Sequence, residues 1–407
     1  MEARVFDAWP NRVVIGAGVA LTVGAEIRAL GRSRALVVTD GGVRGVAAVG
    51  GLLTSLASEL GDVETYDEVL GNPTDAGVED LVKFMQQVRP DVLVAVGGGS
   101  PMDAAKCANL VFTHGGRPLD YVRGGPGWSS VDPSGRLVPL IAVPTTAGTA
   151  SEVTAVSVIV DTQSGRKMSV SSPVLVPDIG VLDPEMTVSL PPRLTAYTGM
   201  DALTHLIEAY VSTVRFAPAE AVALAGMEMI RHALPVAVKD GHDLRAREEM
   251  LVASMMGGLA FNHTRLGLTH AMAHQLSTVC GLHHGLANAI LLPHVMAYNL
   301  SADPTGFARI AQALGVDCTS RSPEEAATKA IEVVEEFSRG IGIPRTLAEV
   351  GVDRDRIPAM VEMALADGVI RKNPRPVVAA DVERLYLAAF KGRSAGGAVI
   401  ATSGEAT

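Results

Sequence analysis

The stretch Asp91-Val-Leu-Val-Ala-Val96 stops at Gly97-Gly98-Gly99-Ser100 and passes straight into a helical pattern, Pro101-Met-Asp103-Ala-Ala-Lys106. An apolar run of strand length, a glycine turn and then a helix form half of a βαβ unit, which restricts the chain to folds with parallel strands. Each residue of the turn has a local reason. Glycines take positive φ and let a backbone or ligand approach closely. Ser100 suits a helix N-cap, Pro101 the first helical position and Asp103 the first turn. A helix start with free amides behind such a turn can hold a pyrophosphate. A tight strand-to-helix turn with no ligand has the same composition, and neither GxGxxG nor a P-loop is present.

Further β-type runs are Arg34-Ala-Leu-Val-Val-Thr-Asp40, Leu140-Ile-Ala-Val143 and Ala155-Val-Ser-Val-Ile-Val160. Alternating with helical patterns, they predict a parallel sheet of βαβ units. A second polar turn, Pro144-Thr145-Thr146-Ala-Gly148-Thr149-Ala150-Ser151-Glu152, follows the run at 140–143. Its hydroxyls suit a cofactor amide or phosphate; equally, they suit a helix cap, with Glu152 closing a capping box. Two such turns after two strands favour a nucleotide cleft, because ligands gather at the carboxyl ends of parallel strands. Asp40 ends another strand. A carboxylate there accepts from a ribose 2′-OH and repels a 2′-phosphate, which favours NAD over NADP; a simple turn former has the same look.

After Leu190-Pro191-Pro192 the β-branched runs thin out, and Ala/Leu/Met/Glu segments at helical spacing follow at 196–212, 218–238, 246–261 and 323–340. The expectation is an α/β domain over 1–190 and an all-α domain over 191–407. No repeat or low-complexity linker interrupts them. The tail from Ser394 is expected to fray. The start, Met-Glu-Ala-Arg-Val-Phe-Asp, has no apolar segment of signal-peptide type, and no run of about 20 apolar residues suggests a membrane span.

The chain has 407 residues, 48% of them hydrophobic, and a net charge of −10. That length supports two cores, and the acidic balance disfavours nucleic acid and anionic membrane surfaces as partners. Cys107, Cys280 and Cys318 are too few and too scattered for a disulfide framework, so a reducing cytoplasm fits. Cys280 lies among histidines as a candidate ligand, although a small buried apolar residue is the plainer reading.

Six of the ten histidines fall between residues 263 and 294. Asp201 and His205 are four apart, as are His270 and His274, so each pair shares a helix face. His284 follows a short loop containing Gly281. Asp201, His205, His270 and His284 would offer one oxygen and three imidazole nitrogens, a set that suits Fe²⁺ or Zn²⁺ with room for a substrate oxygen. A lone histidine is more often structural; two i, i+4 pairs plus His284 are harder to explain that way.

These segments together, with Gly199-Met-Asp201-Ala-Leu-Thr-His205-Leu-Ile-Glu-Ala-Tyr210 and His284-Gly-Leu-Ala-Asn288-Ala-Ile-Leu-Leu-Pro293, resemble the iron-containing (group III) alcohol dehydrogenases, in order from about residue 10 to about 390. The resemblance implies a dinucleotide-binding α/β domain and a helical domain, the architecture shared with dehydroquinate synthase, with metal in the cleft between them. It implies Asp201, His205, His270 and His284 as metal ligands. It implies dinucleotide contacts at Asp40, Gly98, Gly99, Ser100, Asp103, Thr145, Thr146 and Thr149, with Lys167 near the ribose. Two departures stand out: Ala150 replaces a common Gly, and His283 precedes His284 where Pro is usual. Register with Gly285 favours His284 as the ligand.

The resulting expectation is a metal-dependent, NAD-dependent alcohol dehydrogenase or aldehyde reductase. It would act on a short primary alcohol or diol, with Fe²⁺ or alternatively Zn²⁺, as a cytoplasmic homo-oligomer, a dimer or larger. His274 is the candidate proton relay, or else a structural histidine beside the metal. The alternatives are a zinc polyol dehydrogenase or metal-dependent cyclase on the same scaffold, a nicotinoprotein that keeps its cofactor, and a non-enzymatic NAD- or metal-binding sensor.

Overall fold

The structure is a computed structural model that describes residues 11–128, 131 and 136–392. The N-terminal stretch and the tail from Ser394 lie outside them. The chain divides into two compact units, one of Met1–Pro191 with Asp240–Leu259, the other of Pro192–Lys239 with Ala260–Thr407.

Among the described residues, the first unit holds eight strands: β1 (Arg12–Ile15), β2 (Arg34–Val38), β3 (Asp62–Tyr66), β4 (Val92–Gly97), β5 (Leu140–Pro144), β6 (Val156–Val160), β7 (Lys167–Ser171) and β8 (Ile179–Leu182). Between them run α1 (Val23–Ala29), α2 (Gly41–Arg44), α3 (Ala47–Leu60), α4 (Asp75–Val88) and α5 (Gly99–His114). Six strands form one parallel sheet in the order β1-β8-β5-β4-β2-β3. Its central strands are apolar throughout because both faces are covered. Leu36, Val38, Leu93 and Ala95 face a core with Leu81, Met85 and Met102 of α4 and α5. Ala35, Val37, Val92, Val94 and Val96 face another with Ile27 and Leu52 of α1 and α3. The run at 155–160 does not join this sheet. It pairs antiparallel with β7, Val156 opposite Ser171 and Val160 opposite Lys167. Its alternating burial marks a hairpin strand, with every second side chain turned outward.

The strand order creates a switch point. From β2 the chain crosses to β3 on one side; β4 then lies on the other side of β2 and leads away to β5. Crossovers that diverge from neighbouring strands leave a crevice at their carboxyl ends. Asp40 follows β2, the glycine turn ends β4, and the threonine turn follows β5, so three adjacent strands deliver the three segments singled out from sequence.

The second unit is helical: α6 (Pro192–Val211), α7 (Ala217–Lys239), the end of α8 (Leu244–Thr264), α9 (Leu268–Val279), α10 (His284–Asn299), α11 (Pro304–Ala313), α12 (Pro323–Gly340), α13 (Ile357–Ala366) and α14 (Ala379–Lys391). By length and composition alone α7 is apolar enough to cross a membrane, a test that the core helix of a two-layer packing also passes. Its buried stripe, including Ala223, Met227, Ile230 and Leu234, is used in helix packing. A Cβ on Gly199 of α6 would lie 2.3 Å from Leu234, and one on Gly226 of α7 would lie 2.7 Å from Leu206. Two glycines thus receive leucines from the facing helix and bring α6 and α7 close together.

Candidate functional site: two turns and a histidine cluster

The glycine turn differs in detail from its sequence reading. Gly97 has φ +148, and a Cβ there would meet Pro101 at 2.6 Å. The N-cap of α5 is Gly98, not Ser100. Ser100 already lies within the helix, and its hydroxyl donates to the Gly71 carbonyl at 2.9 Å. The first amides of α5 therefore have no side-chain cap. The threonine turn closes over this helix start. Thr145 N donates to Gly97 O at 2.9 Å. A Cβ on Gly98 would lie 3.4 Å from Thr146 Oγ1, and one on Gly99 would lie 2.9 Å from Thr149. Gly99 is thus required by close approach while Gly98 makes an ordinary contact, and the resulting cradle of amides and hydroxyls is a setting for phosphate oxygens.

Glu152 forms no capping box. Ala150 precedes the short helical turn Ser151–Val153 at φ 54, a left-handed value, without a side-chain cap. Glu152 is buried, and its carboxyl is pushed up to about 7 by that burial against the opposing pull of the Lys106 ammonium. Asp40 caps α2, accepting from Val43 N at 2.9 Å. It is both the turn former and the carboxylate at the end of β2. Asp103 accepts from Ser151 Oγ at 2.7 Å and Val158 N at 3.0 Å. Lys167 opens β7, and its charge acts on Asp103.

In the second unit, ligand atoms of Asp201, His270 and His284 lie within 4.8 Å of one another. Asp201 Oδ1 is 3.9 Å from His270 Nε2 and 3.6 Å from His284 Nε2. Donors about 2.1 Å from a tetrahedral ion stand roughly 3.4 Å apart, so a divalent transition metal fits this set with a small contraction. His205 stands beside the three: its ring stacks on His270 with centroids 4.6 Å apart. Cys280 is not in the set; its sulfur lies 4.0 Å from the Met360 sulfur.

Three supporting residues escaped the sequence reading. Glu208, seven after Asp201 on α6, meets His270 Nδ1 at 2.6 Å and accepts from the amides of Gly267 at 3.0 Å and Thr269 at 2.6 Å. Burial alone would raise its carboxyl; His270 and the amides outweigh that and hold it below the usual range. A carboxylate on Nδ1 fixes the proton there and leaves Nε2 with its lone pair toward Asp201, as metal-binding histidines require. Asn288, four after His284, donates to Asp201 Oδ1 at 2.6 Å and lies 3.2 Å from Nε2 of both His270 and His284. Its buried Oδ1 has no hydrogen-bond partner. A donor facing all three lone pairs marks the point at which a cation would be attracted.

The third residue is Asp367, whose Oδ2 lies 2.7 Å from His274 Nδ1. Burial opposes its ionisation, but His274 draws the carboxyl below its usual range. His274 therefore has the same carboxylate-pinned tautomer as His270, while its ring stacks on His284 with centroids 5.3 Å apart.

The choice between His283 and His284 follows from Gly285. A Cβ there would lie 2.2 Å from the Tyr197 carbonyl and 3.3 Å from Asp201 Cβ. The start of α10 thus presses against the α6 backbone and places His284 beside Asp201, while His283 is exposed and packs on the Tyr197 ring.

The chain matches the family description "Iron-containing alcohol dehydrogenase" over residues 10–184 and "Fe-containing alcohol dehydrogenase family, C-terminal" over residues 195–390. It is 40% identical over 393 residues to 1,3-propanediol dehydrogenase of Citrobacter freundii, covering 96% of this chain and 100% of that one. It is 38% identical over 376 residues to NAD-dependent methanol dehydrogenase of Bacillus methanolicus, covering 92% and 97%. A crystal structure of a 1,3-propanediol oxidoreductase superposes with a TM-score of 0.90 at 40% identity, over 95% of this chain and all of the other. With both halves matched in order, the chain belongs to the iron-containing alcohol dehydrogenase family and is an alcohol oxidoreductase.

Proposed function

We propose that this chain interconverts a short primary alcohol or diol and the matching aldehyde with NAD, using Fe²⁺ held by Asp201, His205, His270 and His284. The observation that carries this reading is the carboxylate-pinned His270, with its Nε2 grouped with Asp201 and His284. The names of the relatives supply the substrate class: one acts on propanediol, another on methanol with NAD. Residues 1–190 would bind the dinucleotide through Asp40, Gly98, Gly99, Ser100, Thr145, Thr146, Thr149 and Lys167, and residues 191–407 would hold the metal. Three free thiols agree with a cytoplasmic setting. A homo-oligomer, a dimer or larger, is part of the same reading, and a sedimentation measurement tests it.

When bound, the metal would supply Lewis acidity at the alcohol hydroxyl, and the nicotinamide would supply a hydride acceptor. The protein's own part is proton handling and orientation. Asp367 keeps the His274 proton on Nδ1, so Nε2 can accept one and pass it on. Glu208 performs the equivalent service for His270, whose Nε2 is reserved for binding.

The test is anaerobic NAD⁺ reduction by a panel of short alcohols, using chelated protein reloaded with Fe²⁺ or Zn²⁺. Turnover restored by Fe²⁺ supports the reading, and restoration by Zn²⁺ alone reassigns the metal. No turnover with either metal, alongside a cofactor that survives desalting, shifts the assignment to a nicotinoprotein.

A further inference from the structure

A buried polar chain joins the two turns of the first unit. Lys106 lies on α5, seven residues after Gly99, and is 1% exposed. Its ammonium donates to Ser151 Oγ at 2.8 Å, Thr154 O at 2.9 Å, Val156 O at 3.1 Å and Thr154 Oγ1 at 3.3 Å. Ser151 Oγ in turn donates to Asp103 Oδ1 at 2.7 Å. Asp103 Oδ2 accepts from Val158 N at 3.0 Å, and its carbonyl accepts from Ser157 Oγ at 2.7 Å. All these bonds run from α5, the helix that begins at the glycine turn, to residues 151–158, the segment that leaves the threonine turn.

We propose that Lys106, Ser151 and Asp103 are positioning residues for the dinucleotide, setting the distance between the glycine turn and the threonine turn. This rests on reading those turns as the dinucleotide site. The cradle has little tolerance: Gly99 and Thr149 are already so close that a Cβ on Gly99 would lie 2.9 Å from Thr149. Any slip of residues 145–150 against the start of α5 would close the cradle or open it. Backbone bonding gives that slip little resistance: beyond the β4–β5 ladder, which ends at Gly97 and Pro144, the turns are joined by the bond from Thr145 N to Gly97 O. A buried ammonium is a poor choice for filling space, because an apolar side chain of similar size serves packing as well or better. It is a good choice for fixing several acceptors at once, since its three protons need partners in defined directions. Asp103 follows the same logic. Both carboxylate oxygens are engaged within this network, so its part is to hold the threonine turn rather than to touch the cofactor.

The experiment is fluorescence titration with NADH of wild-type holoenzyme, Ser151→Ala and Lys106→Met, with bound metal and steady-state kinetics measured on each. The expected result is a dinucleotide Kd and KM raised at least about 10-fold in both variants, because small misplacements of a binding constellation cost that much or more. Metal content, the alcohol KM and kcat at saturating dinucleotide should stay within about twofold. An unchanged NADH affinity in either folded variant overturns the proposal. So does a loss of metal in step with dinucleotide affinity, which would show general loosening. If neither variant folds, the chain serves stability alone and the proposal falls. Wild-type protein that binds no NADH would instead remove the dinucleotide reading itself, which separates the two failures.

Discussion

His270 and His274 differ by one helical turn and share one device, a carboxylate on Nδ1. What separates them is where Nε2 stands: that of His270 belongs to the donor group with Asp201 and His284, and that of His274 does not. Different consequences follow on substitution. Glu208→Gln should weaken metal binding about 10- to 100-fold, as loss of a carboxylate behind a metal-binding histidine commonly does; competition with a fluorescent chelator measures it. Asp367→Asn should leave metal in place and lower kcat by roughly 100-fold or more, the usual worth of a placed proton carrier. Equal metal loss in both variants would contradict the division of roles. Ala150 is a smaller case. Sequence reading marks it only as a departure from a common Gly, and its φ of 54 is one that glycine adopts without strain. Ala150→Gly relieves that strain and adds freedom to the unfolded chain, so a net gain of up to about 1 kcal/mol is expected in urea unfolding.

At the scale of elements, legibility followed the range of the interaction. Strands β2, β4 and β5 and helices α6, α7, α8 and α12 were readable because periodicity is local. Asp201 and His205 were readable as a pair on one helix face. Glu208 lay on that face too, yet nothing in the sequence distinguishes a buried partner from a solvated carboxylate. Asp367 was out of reach: 93 residues separate it from His274. The N-cap of α5 was misread because Ser is the better capping residue in isolation, whereas here the helix begins ahead of Ser100, whose hydroxyl is taken by the Gly71 carbonyl. The run at 155–160 was misassigned because strand propensity does not name a partner. Gly285 is the sharpest element-level test. The Tyr197 carbonyl cannot give way as a side-chain end can, so Gly285→Ala must displace the start of α10. Metal affinity should fall at least about 10-fold and stability by roughly 1–3 kcal/mol; retained metal after dialysis against chelator would refute it.

Across the whole molecule, the buried charges of the first unit shape its response to pH. Burial holds the Glu152 proton up to about pH 7, whereas the unfolded chain releases it near the ordinary value of 4.5. Between these values the native state binds more protons, so this group's stabilising contribution shrinks as pH rises. Burial lowers Lys106 to about 8, against 10.5 unfolded, so its effect is a gain in stability as pH rises from 8. The urea midpoint of wild type relative to Glu152→Gln should therefore decline from pH 5 to pH 7; a flat difference would contradict the burial argument. The division of labour between the units has a further consequence. The donors Asp201, His270 and His284, with Glu208 and Asn288, all belong to the second unit, and both turns belong to the first. Neither inventory borrows a residue from the other. On the proposed reading of the two sites, chains lacking metal would still take up dinucleotide while turning over nothing, a population that behaves as a nucleotide sink until metal arrives.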